Sequence, residues 1–210
     1  MNNAPHNKSR FLKADTRADL SEPAFVRYTS DLDPAVAVHD IFLYAGQDIL
    51  LSKIPGKICL LLPVVSGGII RIDANEFTIS SGQVLHFYEE EVMISNPFEE
   101  TVNFLILVLE PGENQDREYV TGQLLVEEAG TLIKAEGIPD HVYVGVYNSR
   151  TQTVFRLPEP SNAMMAFVIN GSFGLEGRQM EFRDGLYLWD VSGIAFESLS
   201  DTAVILLVAW

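Results

Sequence analysis

The feature that most constrains this chain is a run of short apolar or alternating segments, each closed by turn residues, and written twice. In the first half, Ile41 to Tyr44 ends on Gly46-Gln47-Asp48 and Cys59 to Val65 ends on Ser66-Gly67-Gly68. Ile69 to Ile72 ends on Asp73-Ala74-Asn75, and Phe104 to Leu109 ends on Glu110-Pro111-Gly112. The segments have strand length and are rich in β-branched and aromatic residues, and turn signals recur at intervals of about 8–12 residues. This pattern predicts an all-β sandwich or barrel. The second half repeats it: Val142 to Tyr147, Met164 to Ile169, Ser172 to Leu175 and Ala203 to Trp210, again separated by turns. Laid over each other, Val65-Ser66-Gly67 matches Ile169-Asn170-Gly171, Ser81-Gly82 matches Asp184-Gly185, Leu85 matches Leu188, and the last apolar runs match. Self-similarity at about 100 residues indicates two copies of one domain rather than a solenoid.

The expected organisation is a tail or arm over residues 1–30, a first barrel over 31–112, a connection over 113–138 and a second barrel over 139–210. Tyr119 to Lys134 comes nearest to a helical period, but Gly122 and Gly130 weaken it, so a strand or short helix is expected there. Ser21 to Tyr28, with Phe25, Val26 and Tyr28, is apolar enough to cover a barrel or a neighbouring chain.

Charge decides what the chain does not bind. Fourteen basic against 29 acidic residues give −15, which argues against nucleic acid and against an anionic membrane surface. No apolar run approaches the roughly 20 residues of a spanning helix, and no signal peptide is legible after Lys13. The single cysteine, Cys59, cannot pair within the chain; it reads as a small buried hydrophobe, and a cytoplasmic location is expected.

The order of elements resembles the cupin β-barrel, and two in one chain resemble a bicupin. Ala166 to Arg178 and Arg183 to Asp190, followed by Phe196 to Asp201, resemble the quercetinase-type C-terminal cupin domain of pirin-related proteins. Leu61 to Gly68 and Ile94 to Leu105 resemble the N-terminal barrel of pirin-like bicupins. The likeness spans residues 35–210 and implies tandem double-stranded β-helix (jelly-roll) barrels.

The same resemblance implies a divalent metal (Fe, Ni, Cu, Mn or Zn) held by a His-x-His pair, a glutamate and a third histidine. Counting from the glycines puts those seats at Leu60 and Leu85 in the first half, and at Met164 and Leu188 in the second. The four histidines, His6, His39, His86 and His141, are isolated from one another. Both metal sets are therefore expected to be lost, with apolar side chains closing the barrels.

His86, Tyr88 and Glu90 share a parity, giving either a polar or metal-binding row or a solvated strand face. His39 beside Asp40 and His141 beside Asp140 precede equivalent runs, as a joint site or as surface residues at strand starts. Tyr88, Arg156 and Trp189 are candidates for a ligand pocket; Trp189 reads equally as a core residue and Arg156 as an outward strand residue. The acidic runs Glu89 to Glu91 and Glu99-Glu100 read as solvated loops.

The expected function is a metal-free, non-catalytic, pirin-like bicupin that binds a small molecule or a protein partner, as monomer or homodimer, with no cofactor. The alternative is a divergent metal-dependent enzyme, a quercetinase-like dioxygenase or isomerase, using His39, His86 and Glu90.

Overall fold

The computed structural model describes residues 8–33, 36–52, 54–88, 90–110, 119–124, 128–139 and 141–210. Along them run β1 (Lys8–Leu12), β2 (Ala18–Ser21), β3 (Phe25–Asp33), β4 (Val36–Leu43), β5 (Asp48–Leu51), β6 (Ile58–Val65) and β7 (Gly67–Ile72). Next come β8 (Asn75–Ser80), β9 (Gln83–Tyr88), β10 (Val92–Ser95), β11 (Val102–Leu109), β12 (Val120–Gln123), β13 (Leu132–Lys134) and β14 (His141–Tyr147). The chain closes with β15 (Gln152–Arg156), β16 (Ala163–Asn170), β17 (Phe173–Leu175), β18 (Arg178–Met180), β19 (Gly185–Trp189), β20 (Gly193–Ser198) and β21 (Ala203–Ala209). The one helical element among the described residues is a short 3-10 turn, Ala14–Thr16. Among the described residues no helix is long and apolar enough to cross a membrane.

These strands form two compact units. The first, Arg17–Leu124 with Glu136–Pro139, has a seven-stranded sheet in the order β12-β9-β6-β11-β4-β3-β2 and a four-stranded sheet β5-β10-β7-β8. Its core includes Ile41, Leu61, Ile70, Leu85, Phe104 and Ile106. The second unit, residues 8–16, 128–135 and 141–210, has a six-stranded sheet β1-β19-β16-β21-β14-β13 and a four-stranded sheet β15-β20-β17-β18. Met164, Val168, Phe173, Leu188, Ile205 and Leu207 are among its core. The strand orders correspond one for one, 9-6-11-4-3 to 19-16-21-14-13 and 5-10-7-8 to 15-20-17-18. Each unit is a double-sheet jelly roll, and the repeat read from the sequence is the architecture.

Residues 8–30, within the expected tail or arm, carry β1, β2 and most of β3. β1 lies on the edge of the second unit's large sheet, pairing with β19. β3 pairs along β4 in the first unit and β2 with β3. The expected connection carries the short strands β12 and β13. His6, Glu89 and Asp140 lie outside the described residues.

The repeat holds, but in a shifted register. The residue with left-handed backbone at the β6–β7 turn is Ser66 (φ 61°), and its counterpart is Gly171 (φ 73°). Gly67 serves another purpose: a Cβ there would lie 2.1 Å from the Ile79 carbonyl oxygen. Before β9 the left-handed residue is Gly82 (φ 88°), and its counterpart before β19 is Arg183 (φ 67°), not Gly185. Pairing agrees: Leu61 faces Leu85 and Cys59 faces Phe87, as Ala166 faces Leu186 and Met164 faces Leu188.

A slip of one residue turns a side chain to the other face of a sheet. Leu60 is accordingly corrected. It is buried but points away from the first core, opposite His86, and the inward residue equivalent to Met164 is Cys59. Leu85, Met164 and Leu188 do face the cores, fully buried.

Candidate functional site

Two interiors built on one plan differ in how they are filled. In the second barrel, Tyr143 packs edge-on against Phe155, ring centroids 4.8 Å apart, alongside Met164, Leu188 and Leu207. The first barrel contains a cavity of about 240 Å³. It is lined by Arg27 on β3, His39 and Ile41 on β4, Cys59 on β6, Phe87 on β9 and Ile106 on β11. Leu50, Leu51, Ser52 and Ile54, along and just after β5, complete the lining.

Strand register explains which side chains reach it. Phe25 packs against the core, and alternation puts Arg27 and Thr29 on that same face of β3. Arg27 pairs with Ile41, and Thr29 with His39. His39 in turn pairs with Ile106, as Tyr143 pairs with Leu207. Through these ladders His39 corresponds to Tyr143, Cys59 to Met164, and Arg27 to Leu132, which pairs with Gly145 as Arg27 does with Ile41. Three apolar or aromatic residues of the closed barrel are thus replaced, in the open one, by a cation, an imidazole and a thiol.

The polar groups have distinct states. His39 Nδ1 and Thr29 Oγ1 are hydrogen-bonded at 3.1 Å. Burial first, and then the Arg27 charge, lower the His39 pKa to about 4, while Asp31 opposes them. The imidazole is therefore neutral at pH 7, with its second nitrogen left for another partner. Burial pushes the Cys59 thiol up to about 12, so it stays protonated and is no nucleophile. Arg27 has no ion-pair or hydrogen-bond partner for its side chain among the described residues, and its Nε is buried.

The other candidates do not converge here. His86 was expected on a solvated strand face; instead it is 1% exposed, on the outer face of the large sheet opposite Leu60. That sheet is apolar on both faces, as the unbroken burial of β11 shows, which a single sequence pattern reads only as one buried face. Tyr88 shares the outer face of β9, half-buried, and Glu90 lies beyond the strand's end. His39 faces the core and His86 faces away from it, so the metal set of His39, His86 and Glu90 does not assemble. His39 sits inside β4, not at its start, and its equivalent is Tyr143 rather than His141.

Arg156 is exposed on β15, beside the inward Phe155. Trp189 stands on the outer face of β19, its ring 5.2 Å from Tyr187, which stacks on Trp210 at 5.7 Å. Tyr88 belongs to the first unit, Arg156 and Trp189 to the second, on different sheets of it. Arg27 and Thr29 escaped the sequence reading because residues 1–30 read as a tail. The available signal was a charged residue alternating with aromatics over Phe25 to Thr29.

A divalent metal asks for imidazole, carboxylate or thiolate donors around one point. The cavity offers one imidazole, one protonated thiol and one guanidinium, whose charge repels a cation. Among the described residues no group of three or more His, Cys, Asp or Glu could hold a metal. The residues present do not fit the metal that the fold family implies.

Comparison with known proteins agrees with this architecture. Residues 141–208 match the family described as the quercetinase C-terminal cupin domain. No curated protein matches in sequence. Among solved structures, YhhW from Escherichia coli superimposes with a TM-score of 0.76 at 16% identity, covering 96% of this chain and 97% of that one. A second YhhW structure, described as bacterial pirin in complex with nickel(II), gives 0.74 at 16% identity over 96% and 98%. AerE from Microcystis aeruginosa gives 0.75 at 9% identity over 95% and 98%. The chain is thus two tandem barrels with the fold seen in YhhW, the second of them matching the quercetinase C-terminal cupin domain.

Proposed function

We propose that this pirin-like bicupin binds a small molecule in its first barrel and works without a resident metal. The carrying observation is the first barrel's cavity, lined by Arg27 and His39 where the second barrel places Leu132 and Tyr143 against its core. Concave, largely apolar pockets with a few polar groups are the usual form of a small-molecule site. A buried Cys59 that cannot pair within the chain fits a reducing compartment such as the cytoplasm.

The nickel complex of YhhW supports the rival reading, a metal-dependent cupin enzyme. Elemental analysis of the purified protein, before and after dialysis against Ni(II), separates the two. The expected result is less than about 0.1 metal per chain in both. Stoichiometric nickel that is lost in His39→Ala would establish the enzyme reading instead.

A further inference from the structure

We infer that the first barrel's cavity takes a small carboxylate with an apolar body, its carboxylate on Arg27. This rests on the ligand-binding reading above and names the ligand class.

Acidic residues outnumber basic ones 29 to 14 in this chain, so carboxylates are in good supply to pair with a cation. In the same unit Arg17 pairs with Asp40 at 3.2 Å and Arg71 with Glu76 at 2.6 Å, and Lys57 pairs with Glu110. Arg27, the fourth described cation of this unit, lines the cavity, and it has no side-chain partner among the described residues. A buried donor left unmatched is destabilising, and a bound anion is one way to complete it. A guanidinium presents parallel N–H donors that match a carboxylate in a two-pronged pairing.

The remaining lining sets the rest of the ligand. Ile41, Ile54, Phe87 and Ile106 offer an apolar body little to hydrogen-bond and much to pack against. Neutral His39 adds one polar contact and no competing negative charge. A volume of about 240 Å³ lies below the roughly 300–1,000 Å³ of pockets for drug-sized molecules, so the body is small. The second barrel is the internal control. At the Arg27 position it has Leu132, packed against its core, and no cation.

Isothermal titration of the full chain with benzoate and hexanoate, their amides, and inorganic phosphate tests this. The expected result is that a carboxylate binds at least tenfold tighter than its amide, and that Arg27→Gln abolishes the difference while leaving amide binding unchanged. The comparison within the wild-type protein needs no variant to fold. If an amide binds as tightly as its carboxylate, or Arg27→Gln keeps the preference, the carboxylate inference is overturned and the cavity reading survives. If phosphate binds as tightly as benzoate, the apolar body is overturned. If neither carboxylates nor amides bind, both readings fall together.

Discussion

His39 is a neutral imidazole held beside a cation, and that arrangement has a cost in acid. Its ordinary pKa of 6.5 applies in the unfolded chain, and about 4 in the folded one. As pH falls from 6.5 towards 4, the unfolded state takes up a proton that the folded state refuses. Stability is therefore full above that window and declines through it, by at most about 3 kcal/mol. His39→Gln keeps a partner for Thr29 but does not titrate. Urea unfolding at pH 7 and pH 5 is expected to show the variant losing less stability between the two than the wild type. Parallel losses would mean that the folded protein already accepts this proton. The same unit shows how differently arginines are treated: Arg17 is buried against Asp40, which Asn103 also contacts through a 2.8 Å hydrogen bond, whereas Arg27 keeps its charge for the cavity.

At the scale of elements, alternation and turn residues made the strands and their repeat legible. Register was harder, because glycine has more than one use. A glycine signals a turn only if its backbone is left-handed; otherwise it marks a close approach. Gly67 and Gly185 are of the second kind, the latter pressed by Leu12 of β1, with Leu12 Cδ1 3.0 Å from where a Cβ would sit. Ser66 and Arg183 hold the left-handed positions without being glycine, so counting from glycines turned Leu60 inward when it faces out. β3 was illegible for a related reason: its inward row mixes Phe25 with Arg27 and Thr29, which looks polar until the cavity is seen. Two substitutions separate the roles. Ser66→Gly, at an exposed turn, is expected to leave stability within about 1 kcal/mol of wild type, since relief of left-handed strain offsets added chain entropy. Gly67→Ala forces a methyl into the Ile79 backbone and is expected to cost about 3 kcal/mol or more. The reverse order in urea midpoints would return Gly67 to the turn.

At the scale of the whole molecule, a duplicated barrel lets each copy serve as the reference for the other. In the second interior Leu132, Tyr143 and Met164 stand where the first barrel has Arg27, His39 and Cys59. The first copy carries a buried donor without a partner, an imidazole that resists protonation and an unfilled volume, each of which weakens a fold. Writing the closed interior into the open one makes the argument testable. The variant Arg27→Leu, His39→Tyr, Cys59→Met removes the unmatched donor and fills the space with side chains this barrel plan already accommodates. It is expected to raise the thermal midpoint by several degrees, at about 2–4 °C per kcal/mol for a chain of this length, and to abolish benzoate binding. Differential scanning calorimetry and the titration above read both effects. A lower midpoint together with retained binding would show that the first interior is shaped for its own packing, and that its polar residues belong to the fold rather than to a ligand.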